Sequence, residues 1–194
     1  MQPSTERGLS LVEALVVLAL VSFLAALAAP SLRAYSVEAH LLGAGRAFKT
    51  EFLKARSMAV RSGVYTAIRF EQDGQGFSFS VYADGNGNGV RSVEIASGVD
   101  RRIGGPLPLD ARAPGVRVGI NEGVPAPPPD SGILDTEDPI RFGRSNMLSF
   151  SPLGTATPGT FYLAGEGVQA AVRVTGPSAR VRLLVCRGKR WVER

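Results

Sequence analysis

Between Gly8 and Arg33 the chain carries one ionisable side chain, Glu13, and from Ala14 to Ala29 it is apolar except for Ser22. An unpaired carboxylate in such a helix costs a few kcal/mol on insertion scales, so the residue implies a cationic partner. Scission of the peptide bond after Gly8 would supply one. Leu9 would then carry a free α-amino group one helical turn from Glu13, or on a neighbouring copy of the same helix. The chemistry this spacing points to is an acid–amine pairing in low dielectric.

Two other groups of residues invite a chemical reading. Asp84-Gly85-Asn86-Gly87-Asn88-Gly89 matches the opening of an oxygen-ligand calcium loop, making Asp84, Asn86 and Asn88 candidate Ca2+ ligands. The position where a bidentate Glu would close the loop is Ile95, with Glu94 one residue off. A turn between two strands explains the same residues without metal, because Asn and Gly tolerate positive φ. At the C-terminus, Arg180, Arg182, Arg187, Lys189, Arg190 and Arg194 face one acid, Glu193. If 180–186 is a strand, Arg180 and Arg182 share one face while Val181, Leu183 and Val185 share the other. With Trp191 beside them to stack on a base, Arg180, Arg182, Arg187, Lys189 and Arg190 form a candidate site for sequence-independent binding of double-stranded DNA. The competing reading is a solvated charged tail with Trp191 tucked onto the domain.

The inventory does not suit an enzyme. The single histidine, His40, lies on a membrane-proximal helix, and Cys186 is far from it in sequence. Ligands for zinc and a phosphate-cradling Gly-rich loop with Lys are lacking, and Asp130, Asp135, Glu137 and Asp138 sit in proline-rich chain. No cofactor is expected, Ca2+ being the one candidate.

The elements that must position these residues follow from hydrophobic pattern. Ala14 to Ala29 makes a helix of roughly 24 Å, and Leu9 to Leu32 one of roughly 36 Å, long enough to cross a bilayer core. Beyond Pro30, where a bend is expected rather than a stop, Val37, Leu41, Ala44, Phe48, Phe52, Ala55 and Ala59 recur at helical spacing. Gly43 and Gly45 soften that helix, and Ser62-Gly63 ends it. Strand grammar follows. The spacing predicts strands at 64–70 and 77–83 joined through Asp73-Gly74-Gln75-Gly76, then at 90–96, 116–120, 147–151, 160–163, 168–174 and 180–186. Between them, 104–144 carries Pro106, Pro108, Pro114 and the run Pro125-Ala126-Pro127-Pro128-Pro129, and reads as a long exposed loop. The fold class is α+β: a long N-terminal helix, transmembrane in its first half and amphipathic in its second, packed on an antiparallel sheet. With 194 residues, 44% of them apolar and 20% charged, about 160 remain beyond the membrane stretch for one globular domain. The lone Cys186 excludes an intrachain disulfide.

The N-terminal stretch resembles the class III signal of type IV pilins and pseudopilins. The polar leader Met1 to Gly8, Glu13 as fifth residue after the cut and Pro30 as twenty-second carry the resemblance, and Leu9 stands where Phe is usual. The resemblance implies cleavage by prepilin peptidase between Gly8 and Leu9, N-methylation of Leu9, and a role for Glu13 in subunit registry and assembly. It divides the chain into a leader, 1–8, a transmembrane and filament-core helix, 9–32, and a helix-plus-sheet region, 33–194. It also implies other pilins or pseudopilins as partners. The protein would cross the inner membrane once with its C-terminal region outside the cytoplasm, then enter a pilus or pseudopilus.

Ala55 to Val60, Leu148-Ser149-Phe150 with Gly154, Val172-Arg173-Val174 and Arg180-Val181-Arg182 are similar to the GspH/FimT group of minor pilins and pseudopilins. Some members in DNA-uptake pili have a Gly-Arg-x-Arg signature; Ala179 replaces the glycine here. Three functions are therefore open: a structural filament subunit, a DNA-binding subunit, and a secreted protein released after Ala28.

Overall fold

The computed structural model describes residues 10–74, 76–109 and 113–194. Contacts divide the chain into two compact units between Ser36 and Val37. Helix α1, Leu11–Ser62, contributes to both. In the first unit its large apolar side chains, from Leu11 to Leu32, are all more than half exposed, the least being Val17 at 52%. The helix continues through residue 30.

In the second unit the predicted stripe is the buried one: Leu41, Ala44, Phe48, Phe52, Ala55 and Ala59 lie in the core, and Val37 packs against it. Their 3–4 spacing puts them on one face. The helix stops where Gly63 adopts φ 70° and its N–H reaches Ala59 O at 3.1 Å, a termination that costs glycine little.

Two antiparallel sheets receive this face. The first, in the order β3-β2-β1-β6, comprises β1 (Thr66–Asp73), β2 (Gly76–Ala83), β3 (Arg101–Pro108) and β6 (Met147–Phe150). The hairpin register Thr66↔Ala83 to Asp73↔Gly76 is the one expected from the turn at 73–76. The second sheet runs β10-β9-β8-β7-β4, with β5 also pairing β7. Its strands are β4 (Arg117–Val118), β5 (Ile140–Arg141), β7 (Gly159–Gly165), β8 (Val168–Thr175), β9 (Arg180–Arg187) and β10 (Arg190–Glu193). The architecture is α+β.

Six phenylalanines tie helix to sheets. Phe48 and Phe52 from α1 meet Phe70 and Phe79 of the first sheet, Phe161 of the second, and Phe142 after β5. Phe70 stacks on Phe161 at 5.5 Å and on Phe142 at 5.6 Å. Buried aromatic pairs add about 0.5–1.5 kcal/mol beyond their area, so the cluster is a strong joint between the layers.

Three sequence expectations are corrected. Residues 90–96 do not form a strand: α2 occupies Ser92–Ser97, closed by left-handed Gly98 whose N–H reaches Ile95 O at 3.2 Å. Turn chemistry at Ser97-Gly98 overrides the β-branched Val93 and Ile95. Residues 101–108, partly assigned to the loop, form β3. It is an edge strand, where Pro106 and Pro108 need not donate to a neighbour. The proline-rich segment is not a free loop. Val124, Ala126 and buried Leu134 pack with Tyr162, Ala171, Leu184 and Trp191 on the face of the second sheet opposite the helix. The second unit therefore has helix, sheet and loop as successive layers, and β8 and β9 are buried on both faces.

Candidate functional site

The helix start is built by local capping. Ser10 Oγ accepts the Glu13 N–H at 3.4 Å and Ser10 O accepts the Ala14 N–H at 3.0 Å, so Ser10 is the cap and Glu13 the third helical residue. Ser10-x-x-Glu13 is the spacing of a capping box, a signal passed over in the sequence reading. Glu13 is exposed and sits in the first turn, where the partial positive charge of unpaired amides favours a carboxylate. The acid thus stands in the first turn, at the end of the helix where a new amino terminus would form. Gly8 and Leu9 lie outside the described residues. At Pro30 the backbone is helical.

At the basic end the structure supplies partners that the sequence left distant. Arg180 Nη2 lies 3.2 Å from Glu193 Oε1, and Arg182 Nη1 lies 3.7 Å from Glu193 Oε2, because β10 pairs with β9 in the register Glu193↔Leu184. Arg187 forms an ion pair with Glu38 of α1. Lys189 and Arg190 are exposed at the β9–β10 turn. Trp191 is not free to stack on a base, because its indole N–H donates to Pro125 O at 2.8 Å and its ring joins the loop cluster. Ala179 has φ 46°, the left-handed conformation glycine prefers. Ala179 thus holds, at the residue before Arg180, a backbone conformation that glycine adopts more readily.

Arg173, which the sequence reading placed only in a family pattern, fastens the loop layer. Its guanidinium donates to Pro127 O at 3.0 Å and Pro128 O at 2.9 Å and pairs with Asp130. Asp138 pairs with Arg141 at 3.5 Å. The acids of the proline-rich segment are in this way partly enlisted in holding it down.

The loop after β2 spends its oxygens on its own backbone. Asp84 Oδ1 accepts N–H bonds from Asn86 at 3.0 Å and Gly87 at 2.8 Å, and Oδ2 accepts one from Gly89 at 2.7 Å. Burial opposes the charge on Asp84, but the amides of Asn86, Gly89, Gly87 and Asn88 outweigh it and hold the carboxyl below its usual value. Asp100 likewise accepts from Gly85 and Arg91, and the side-chain amides of Asn86 and Asn88 donate to Glu94 Oε1 at 3.2 and 2.8 Å. The loop joins a strand to a helix. Among the described residues no group of three His, Cys, Asp or Glu side chains converges as a metal site.

His40 and Cys186 both have structural settings. His40 Nδ1 lies 3.2 Å from Pro114 O. Cys186 is buried at the edge of a cleft of about 290 Å³, and burial pushes its thiol up, away from the reactive thiolate.

Residues 3–29 match the family described as the prokaryotic N-terminal methylation motif, and residues 44–178 match the type II transport protein GspH family. No curated protein and no solved structure matches the chain.

Proposed function

The chain belongs to the type II transport protein GspH family, and we propose that it is a filament subunit cut between Gly8 and Leu9 by prepilin peptidase and methylated at Leu9. It is a pilin-like protein of the type II secretion and type IV pilus class, with an N-terminal methylation motif. Its family is structural rather than enzymatic.

The observation that carries the proposal is the pairing of an uncovered apolar helix with a single acid at its start. Large side chains from Leu11 to Leu32 are more than half exposed. A surface of that kind demands lipid or other helices as cover. In the membrane, 9–32 spans the inner bilayer with 33–194 outside the cytoplasm. In the filament, the same stretch packs with helices of other pilins or pseudopilins. Glu13 then neutralises the methylated amine of Leu9, its own or a neighbour's, at a depth where neither charge is tolerated alone. Mass spectrometry of the mature protein tests this: a chain beginning at methylated Leu9 is expected, and one retaining Met1 to Gly8 or beginning after Ala28 refutes it.

A second reading, binding of double-stranded DNA, is favoured by one observation, the left-handed backbone of Ala179 where the signature has glycine before Arg180. Because Glu193 engages Arg180 and Arg182, Lys189 and Arg190 would make the first phosphate contacts. Salt-sensitive binding of duplex DNA by the full chain, weakened by Lys189→Gln with Arg190→Gln, is the expected result; undetectable binding at low salt refutes it.

A further inference from the structure

Two surfaces of the second unit carry opposite charge and lie on opposite faces of it. The first is the solvent side of α1 between Arg46 and Arg61. Helical spacing places Arg46, Lys49, Lys54, Arg56 and Arg61 away from the buried stripe, against a single acid, Glu51. Lys54 pairs with Glu51 at 3.2 Å, and Arg61 Nε donates to Ser57 O at 3.4 Å. Arg46, Lys49 and Arg56 have no ion pair among the described residues. Two apolar side chains interrupt the basic face, Leu53 at 40% and Val60 at 52% exposure.

The second surface is the outer side of the proline-rich layer. From 130 to 138 it carries Asp130, Asp135, Glu137 and Asp138 and no cation. Arg173 and Arg141 take up Asp130 and Asp138, while Asp135 and Glu137 have no ion pair among the described residues. In their midst Ile133 is 73% exposed, although its neighbour Leu134 is buried beneath the loop. One patch is thus an exposed apolar side chain on an acidic segment, the other a pair of exposed apolar side chains on a basic helix face.

We propose that these two surfaces dock on one another between copies of this chain, the 130–138 segment of one protomer lying on the Arg46–Arg61 helix face of the next. The sheet separates the patches within a protomer, since α1 covers one of its faces and the loop layer the other. Neither patch complements itself, so a symmetric two-fold dimer would bring like charges together. A contact between unlike surfaces on opposite faces is heterologous and propagates into a line or ring. Charge complementarity sets partner and register, and Ile133 against Leu53 and Val60 supplies the apolar centre. The inference deepens the filament reading and rests on it, placing a head-to-tail contact between the sheet-bearing units beside the packing of the apolar helices.

The test uses disulfide cross-linking of the full chain in membranes of expressing cells. The one native cysteine, Cys186, is buried and gives little background. Val60→Cys with Ile133→Cys in one chain is expected to give a ladder of oligomers under mild oxidation, while each single variant stays monomeric. Asp135→Lys with Glu137→Lys should cut the cross-linked fraction about tenfold or more, and adding Lys54→Glu with Arg61→Glu should restore it. Leu20→Cys reports packing of the apolar helices independently. The proposal is overturned if the 60–133 pair gives no cross-link while Leu20→Cys does, if its products stop at dimer, or if charge reversal leaves the ladder unchanged. Loss of both cross-links overturns the filament reading, and this contact with it.

Discussion

Gly43 and Gly45 are two residues apart on the same helix, yet replacing each by alanine should move stability in opposite directions. A Cβ at Gly43 meets nothing within 4 Å, whereas one at Gly45 would lie 2.6 Å from Leu183 Cδ1 and 3.3 Å from Cδ2. Leu183 is fully buried on β9, so its methyls cannot swing aside without displacing the core. Alanine gains about 1 kcal/mol over glycine in a helix interior at either site. At Gly45 the overpacking costs about 1–3 kcal/mol, which cancels or exceeds that gain. Gly43→Ala should therefore stabilise by up to about 1 kcal/mol and Gly45→Ala should lose up to about 2. Denaturant unfolding followed by the emission of the single tryptophan, Trp191, measures both. The variant Gly45→Ala with Leu183→Ala should be more stable than the sum of the two single losses predicts, as the added methyl enters the space vacated. Equal stabilities for Gly43→Ala and Gly45→Ala would refute the close approach of helix and sheet.

Three further outcomes follow from the site geometry. Arg173→Ala removes donors from Pro127 O and Pro128 O and should cost about 2 kcal/mol. Its readout is a red shift of Trp191 emission as the loop layer loosens, and an unshifted spectrum at full stability would show that the guanidinium does not hold the loop. Asp84 has a folded pKa below its usual 3.8, so its contribution is present above that value and is lost as pH falls through the folded one. Acid unfolding should therefore be steeper below about pH 4 in the native protein than in Asp84→Asn, and parallel acid limbs would argue against it. Cys186, buried and with its thiol pushed up, should react with iodoacetamide only on unfolding; rapid labelling of the folded chain would contradict its placement.

The parts of the fold legible in the sequence were those set by local periodicity. The stripe from Leu41 to Ala59 has one helical reading, and the hairpin around residue 74 needed only alternation and a turn. What escaped depends on partners far along the chain. Pro106 and Pro108 look like breakers until β3 is known to be an edge. The run Pro125 to Pro129 looks free until Arg173, some 45 residues later, is seen to donate to its carbonyls. The arginines at 180 and 182 look like an open basic platform until β10 folds Glu193 back beside them. Of the candidate site, Glu13 stood out because a charge within an apolar helix has few explanations. Its local support from Ser10 is a capping signal readable in the sequence.

We propose that the acid at Glu13 is tolerated because proteolysis creates an amine for it to face. Incorporation of Glu13→Leu protein into filaments, compared with the native chain at equal expression and after equal removal of residues 1–8, tests it most directly. Correct processing but severely reduced incorporation is expected. Incorporation at the native rate would contradict it.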